Sequence, residues 1–152
     1  MNKFSDGVIR AIVEQKKEVY NPVYFYGEPL RVIETLEYLI EKYRPKHPEA
    51  VVKHLAARQY TEQLIKSLAN GDIERLRCGF SDCDMLIFER IDDIAGMMMT
   101  MQEFYGLFDR LWESGKQIVL TAAVPPKEIA ELEERIITQL ESGIICNVDE
   151  IY

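Results

Sequence analysis

Short apolar runs alternate with helically spaced apolar residues along this chain, and the two periods predict two kinds of element. A continuous apolar run of about four to eight residues is typical of a strand that is buried on both faces of a parallel sheet. Because parallel strands need crossover connections, which are usually helices, the alternation predicts an α/β domain of three layers. The expected strands are Val23–Tyr26, Ala50–Leu55, Met85–Phe88, Gln117–Thr121 and Ile144–Cys146.

Helical spacing fills the segments between these strands. We expect the second helix to end at Arg44, because the residue before Pro45 is driven out of the helical region. Thr100 and Glu103 have the spacing of a capping box, in which each side chain satisfies the other's backbone N–H, so the fifth helix should begin after Thr100. The helices are expected over residues 4–19, 29–44, 60–69, 72–79, 100–114 and 129–143.

The same spacing predicts which side chains of these helices face the core. No internal repeat or interdomain linker interrupts the order of elements, so residues 1–152 are expected to form a single domain. For the second, third and last helices, the expected buried side chains are Ile33, Leu36, Ile40 and Tyr43; Leu64, Ile65 and Leu68; and Ile129, Leu132, Ile136 and Leu140.

The first strand leads through a glycine turn into a helix, which is the outline of a phosphate-binding loop. A working loop reads G-x-x-x-x-G-K-[ST]: its backbone N–H groups and lysine bind phosphate, and its hydroxyl binds magnesium. Counting from Gly27, Val32 stands at the second glycine, Ile33 at the lysine and Glu34 at the hydroxyl. Valine crowds the backbone, isoleucine has no charge and the carboxylate repels phosphate. The pattern is therefore compatible with an ordinary strand-turn-helix connection.

Composition narrows the possible functions. The formal net charge of −8 disfavours nucleic acid as a partner, because phosphate contacts need clustered lysine and arginine. No apolar run approaches the roughly 18 residues of a membrane-spanning helix, and no signal peptide opens the chain, so we expect a cytoplasmic protein without membrane contact. The cysteines Cys78, Cys83 and Cys146 have no metal-ligand spacing and are expected to be buried or incidental thiols. We predict no metal and no cofactor.

Six segments follow one another along the chain: Tyr20–Gly27, Asp84–Gly96, Gln102–Phe104, Lys116–Thr121, Pro125–Ile129 and Leu132–Arg135. Taken together and in this order, they resemble the ATPase domain of the bacterial replication initiator DnaA. That resemblance implies a P-loop NTPase fold of the AAA+ type, in which a parallel sheet is flanked by helices and binds ATP. The match runs from about residue 8 to residue 146, and the helical lid that follows the domain in the family has no counterpart in this sequence.

The resemblance also implies positions for the family's nucleotide-site residues, and most are replaced. The Walker B aspartate falls on Glu89 and the catalytic acid beside it on Arg90, which cannot accept a proton. The sensor residue falls on Ala122 or Ala123, which cannot bond water or phosphate. The arginine finger falls on Gln139, which has no charge to offer a neighbouring subunit.

These replacements predict a domain that does not hydrolyse ATP, because each removes a different requirement of phosphoryl transfer. We expect a catalytically inactive DnaA-like protein that acts by protein association, as a regulator or scaffold of replication initiation. The expected partner is DnaA, another AAA+ protein or a second copy. Two alternatives stay open: a switch that still binds ATP or ADP through Gly27 and the segment Tyr20–Pro22, and a DNA-binding module from a mobile element.

Methionines follow Gly96 in an unusual cluster. If Thr100 caps the helix, Met97, Met98 and Met99 lie in the turn before it, and exposed methionines adapt to partner surfaces. Alternatively, they fold back into the vacant cleft or into the core. We take Met97, Met98, Met99 and Met101, together with the retained Arg135, as the candidate partner surface.

Five carboxylates cluster around the third strand. A magnesium or calcium site needs several oxygens that converge on one point, and this spacing does not enforce that convergence. We therefore expect solvated charges and helix caps at Asp82, Asp84, Glu89, Asp92 and Asp93.

Overall fold

The computed structural model describes residues 1–14 and 20–150. The sheet has five parallel strands in the order β2-β3-β4-β1-β5, so the first strand of the chain lies inside the sheet between two others. The five predicted strands are confirmed, with ends shifted by a residue or two. They are β1 (Val23–Tyr26), β2 (Val52–Ala56), β3 (Met85–Glu89), β4 (Gln117–Ala122) and β5 (Ile144–Asn147).

Six helices and two short 3₁₀ turns, Ile91–Ile94 and Pro126–Glu128, connect the strands within the described ranges. The first helix was expected over residues 4–19, of which 15–19 lie outside the described residues. None of the helices described combines the length and the apolar character that crossing a bilayer requires. The helices are α1 (Lys3–Glu14), α2 (Pro29–Lys46), α3 (Ala57–Asn70), α4 (Ile73–Ser81), α5 (Met98–Glu113) and α6 (Glu134–Glu141).

Each face of the sheet has its own apolar core, because successive side chains of a strand point to opposite faces. Tyr24 of β1 lies in the core with Phe88 and Phe104, whereas its neighbour Phe25 lies in the other core with Leu36. The rings of Phe88 and Phe104 are 5.3 Å apart between centroids. The predicted three-layer architecture is therefore confirmed.

The predicted buried faces of α2 and α3 are partly wrong. Ile33 is 44% exposed, and Ile65 and Leu68 are exposed as well. In α2 the sheet-facing stripe instead includes Val32 and Leu39, which are buried. Several apolar residues stand next to one another in both helices, and the sequence spacing fits more than one stripe; packing against the sheet selects one of them.

α2 continues past the expected stop at Arg44 and includes Pro45. A proline removes one helical hydrogen bond, and here that loss falls in the exposed last turn, where water can replace the missing partner. The helix ends two residues later, where the His47 N–H donates to the carbonyl of Tyr43 at 3.0 Å.

The capping box predicted at Thr100 is wrong. α5 begins at Met98, and Thr100 is a buried residue of its first turn. The Glu103 carboxylate is taken by Arg77 of α4, whose Nε donates to Glu103 Oε2 at 3.1 Å. A tertiary ion pair has therefore replaced the local cap.

The last predicted helix begins later than expected. Ile129 and Leu132 are buried, as predicted, but they precede α6, which starts at Glu134. Between them Glu131 has a positive φ of 65°, which interrupts helical geometry.

Candidate functional site

A small pocket of about 160 Å³ lies at the carboxyl ends of β3 and β4, against the first turns of α2. The structure brings together there most of the positions that the family resemblance assigned to the nucleotide site. The pocket is lined by Pro29, Val32, Ile33, Glu89, Arg90, Thr121, Ala122 and Ala123.

The polar groups of this pocket are already engaged by the protein. The hydroxyl of Thr121 accepts a hydrogen bond from the Arg90 N–H at 3.0 Å. Arg90 has a φ of 58°, in the left-handed region that costs free energy for a residue with a side chain. Its guanidinium lies in solvent, 3.5 Å from Asp93. The charge of the residue at the catalytic-acid position is therefore solvated and faces Asp93.

Glu89, at the position of the magnesium-holding aspartate, faces a histidine. Its Oε2 lies 2.6 Å from Nε2 of His54 on the neighbouring strand β2. The sequence did not suggest this pair, because the two residues are 35 positions apart in the chain. A metal at Glu89 would have to compete with His54 for this oxygen.

The connection between β1 and α2 consists of Gly27 and Glu28 alone. Pro29 already begins the helix, and Glu28 is its N-cap, whose carboxylate accepts from the Arg31 N–H at 3.2 Å. The Val32 N–H donates to the Glu28 carbonyl at 3.0 Å. Backbone N–H groups that a phosphate loop would direct at its ligand are thus used inside the helix and its cap.

The Glu28 N–H of this turn is bound by the carboxylate of a residue far along the chain, Asp149. The Glu28 N–H lies 3.1 and 3.0 Å from the two carboxylate oxygens of Asp149, and Arg31 lies 3.6 Å from the same group. Gly27 has a φ of 147°, and a Cβ on it would lie 2.8 Å from Val148. Asp149 therefore occupies the anion position at this helix N-terminus. The sequence analysis missed Asp149, which is 121 residues away from Glu28.

Glu34, at the hydroxyl position, is exposed on the second turn of α2 and does not line this pocket. Because α2 starts at Pro29, the helix carries Glu34 away from the strand ends. Of the predicted loop positions, Val32 and Ile33 reach the pocket, Gly27 forms the turn and Glu34 lies apart.

The structure does not bring Gln139 to this pocket. Gln139 is 7% exposed, and its amide donates to the carbonyl of Tyr105 at 3.0 Å and to Asp109 at 3.1 Å. It therefore fastens α6 to α5. Arg135 lies nearby, with its guanidinium 4.1 Å from the centre of the Tyr105 ring. The residue at the arginine-finger position is thus an internal contact in this structure.

The four methionines separate into two groups. Met97, Met98 and Met99 are 42%, 68% and 45% exposed, whereas Met101 is 3% exposed and belongs to the core. The inclusion of Met101 in the candidate partner surface is therefore wrong, because the true start of α5 turns this residue inward. Met97, Met98 and Met99 do not line the pocket. We call these three residues the methionine patch.

The acidic residues around β3 have separate surroundings. Asp84 accepts from the Val51 N–H at 2.7 Å, and Glu89 and Asp93 face His54 and Arg90. Within residues 1–14 and 20–150, no group of histidine, cysteine and carboxylate side chains is placed to hold a metal ion.

Two of the cysteines, Cys83 and Cys146, are buried and have unreactive thiols. Burial raises the pKa of Cys83 and raises the pKa of Cys146 to about 12, so both thiols stay protonated and unreactive at neutral pH. The third, Cys78, is exposed on α4.

The strand order, the parallel sheet and the pocket beside the β1–α2 turn define an α/β domain of the P-loop NTPase and AAA+ class. The family model described as the bacterial DnaA ATPase domain matches residues 1–147. The chain therefore belongs to the bacterial DnaA ATPase-domain family.

Known relatives agree with this assignment. The chain is 31% identical over 148 residues to the chromosomal replication initiator protein DnaA of Symbiobacterium thermophilum, covering 97% of this chain and 32% of that protein. Domain III of the Thermotoga maritima replication initiation protein DnaA has the same fold, with a TM-score of 0.91, 20% identity and coverage of 99% of this chain and 63% of that one. AMPPCP-bound DnaA from Aquifex aeolicus superimposes with a TM-score of 0.88 at 22% identity, over 97% and 46% of the two chains. The chain thus spans about a third of the length of this curated relative.

Proposed function

We propose that this chain is a DnaA-like domain that does not bind or hydrolyse nucleotide and that acts by associating with another protein of replication initiation. The observation that carries the proposal is the closed β1–α2 turn. The N–H groups of Glu28, Arg31 and Val32 all have acceptors within the protein, and one of those acceptors is the carboxylate of Asp149. A triphosphate would have to displace that carboxylate and unwind the first turn of α2.

Side-chain chemistry supports the same proposal. Ile33 offers no charge to phosphate, Arg90 cannot act as a base and the alanines Ala122 and Ala123 cannot position water. Restoring any one of these groups would leave the other requirements unmet. The Aquifex relative was solved with AMPPCP, so the family fold is compatible with a nucleotide, and the departures lie in this chain's own residues.

The methionine patch supports association as the mode of action. Three neighbouring methionines that are each more than two-fifths exposed cost solubility unless another surface covers them. Methionine side chains are flexible and polarizable, so they pack against irregular partner surfaces. Since the matched relative is a replication initiator, the partner we propose is DnaA, another AAA+ protein or a second copy.

The nucleotide switch is less well supported. In that alternative the segment Tyr20–Pro22 contacts the nucleotide together with Gly27. The side-chain amide of Asn21 is already bonded within the protein: it donates to the Lys116 carbonyl at 2.8 Å and accepts from the Ile118 N–H at 2.8 Å. The DNA-binding alternative is disfavoured by the net charge of −8.

Native mass spectrometry with the full-length DnaA of the same organism tests the proposal. We expect a complex with the wild-type chain and its loss in the variant Met97→Ser/Met98→Ser/Met99→Ser. A matched control replaces exposed apolar residues of α3, Ile65→Ser/Leu68→Ser, and should keep the complex. If no complex forms with DnaA or with a second copy, or if both variants bind equally well, association through the methionine patch is wrong.

A further inference from the structure

The two edges of the sheet differ in how they are covered. At the β5 edge, the Asn2 amide donates to the carbonyls of Asn147 and Glu150, each at 2.9 Å, and α1 packs beside the strand. At the other edge, β2 pairs only with β3 on its inner side. An uncovered edge strand is a template for pairing with another chain.

The register shows which groups of β2 are free. In a β-strand, the N–H and C=O of one residue point to the same side, and those of the next residue point to the opposite side. The Val51 carbonyl points towards β3. The N–H and C=O groups of Val52, His54 and Ala56 therefore point outward, away from β3. The Ala56 N–H is taken by the side chain of Gln59 at 2.8 Å. The outward groups of Val52 and His54 have no partner among the residues that the structure describes.

A cationic cavity of about 310 Å³ lies beside this edge, between β2 and the helices α3 and α4. Lys53 of β2 and Arg75 of α4 both line it, and within the described part of the chain neither forms an ion pair. One carboxylate, Asp72, is also in the lining. The remaining lining residues are Gln63, Ser67, Leu76, Gly79 and Phe80.

We propose that the free edge of β2 binds an extended acidic segment of a partner protein as a sixth strand. An added strand would lie about 4.8 Å from β2, and every second side chain would point to the same face as Lys53, towards the cavity. Carboxylates on that face would meet Lys53 and Arg75. Backbone pairing with Val52 and His54 supplies affinity, and the two cations supply specificity.

Charge complementarity selects an acidic segment over a second copy of this strand. β2 carries Lys53 and His54 on an otherwise acidic protein with a net charge of −8. Pairing β2 with itself would bring the lysines of two copies together. This inference does not depend on the closed nucleotide site or on the methionine patch, so it can fail while the proposed function stands.

Fluorescence anisotropy with a labelled peptide of alternating threonine and glutamate, about eight residues long, tests the pairing. We expect saturable binding of this peptide. The same peptide with lysine in place of glutamate, or with N-methyl groups on alternate amides, should bind at least about tenfold more weakly. Amide hydrogen exchange should slow at Val52 and His54 when the acidic peptide is present.

The double reversal Lys53→Glu/Arg75→Glu should weaken binding of the acidic peptide by about tenfold or more. The control Lys3→Glu/Lys127→Glu makes the same change in net charge at two exposed sites, one on α1 beside the β5 edge and one in the 3₁₀ turn after β4, and should bind like the wild type. Both variants change exposed side chains, and circular dichroism checks that they fold.

Three results would overturn the proposal. The first is absence of binding at millimolar peptide, and the second is equal binding by the two double variants. The third is slowed exchange at Val52 and His54 that grows with protein concentration in the absence of peptide, which would assign the edge to a second copy.

Discussion

Two connections at the carboxyl end of the sheet, the β1–α2 turn and the segment between β3 and α5, differ in whether their groups are bonded internally or exposed to solvent. The β1–α2 turn is closed by internal contacts: the N–H groups of Glu28, Arg31 and Val32 are bonded to the protein's own acceptors, and the neighbouring pocket has mostly apolar walls. The segment between β3 and α5 instead leaves Met97, Met98 and Met99 in solvent. Asp149 occupies the anion position at the N-terminus of α2, while an apolar surface beyond the end of β3 faces outward. A sheet depends on buried side chains and a phosphate site depends on free N–H groups, so sequence changes can alter one without the other.

The largest effect on stability should come from replacing methionines at the start of α5, because their burial changes within one helical turn. Met101→Ala should destabilise the fold by about 2–5 kcal/mol, because it leaves a cavity in the core, whereas Met98→Ala should change stability by less than about 0.5 kcal/mol. Urea unfolding of the two variants measures this. Equal losses would show that the patch and the core are not distinct.

A side chain at Gly27 should destabilise the closed β1–α2 turn by steric overlap. Gly27→Ala should cost about 1–3 kcal/mol, because alanine disfavours a φ of 147° and its Cβ would overlap Val148. Gly79→Ala is the control: it lies inside α4 with open space around its Cβ position and should gain about 1 kcal/mol from helix propensity. Thermal unfolding should therefore shift in opposite directions, and a stable Gly27→Ala protein would contradict the tight closure.

Removing the internal anion should have a smaller effect. Asp149→Ala should cost about 1 kcal/mol, because the Glu28 N–H loses its acceptor at the N-terminus of α2. Asp72 is also a carboxylate at a helix N-terminus, directly before α4, but it makes no side-chain cap bond, so Asp72→Ala should be close to neutral. If chemical denaturation shows the same loss for both, Asp149 has no special role in closing the turn.

The smallest effect should be a pH-dependent change in stability due to Asp92, which lies in the 3₁₀ turn after β3. Burial, with a further contribution from Asp93, raises the pKa of this carboxyl in the folded protein, while its own backbone bond and Arg90 oppose the rise. The unfolded chain therefore loses the proton first, and the stability contribution of Asp92 decreases as pH rises through the folded pKa. Asp92→Asn should then melt higher than the wild type at neutral pH.

Acidification provides the test of that sign. As the pH falls below the folded pKa, the wild-type carboxyl becomes neutral and the advantage of Asp92→Asn should shrink. Melting curves from neutral pH down to about pH 3 follow this difference. An advantage that grows towards low pH would mean that the carboxylate is stabilised by the fold.

The strands and the positions of the nucleotide site could be predicted from sequence, because both depend on local patterns. The run Met85–Phe88 is apolar enough to be a buried strand in any context, and the family spacing placed Ile33, Arg90 and Ala123 around one pocket. Lys53 and His54 interrupt the apolar run of β2, and the structure places this strand at an edge of the sheet, where such residues are tolerated.

What could not be predicted depends on contacts between distant residues. The closure of the β1–α2 turn needs Asp149, and the early start of α5 accompanies the capture of Glu103 by Arg77. Gln139 matched a surface position by resemblance, yet two hydrogen bonds to α5 hold it inside. Such pairings follow from packing and have no signature in the local sequence.

We propose that the β1–α2 turn is closed to phosphate, and a thermal-shift titration with ATP and ADP, with and without magnesium, measures whether it is. A ligand that binds the native state at a hundredfold excess over Kd would add about 2.7 kcal/mol of stability. We predict no shift up to millimolar nucleotide, both for the wild type and for Ile33→Lys/Glu34→Thr, which restores the lost side chains without freeing the backbone. A clear rise in melting temperature of the wild-type protein would mean that the turn opens for phosphate, and the proposed loss of nucleotide binding would be wrong.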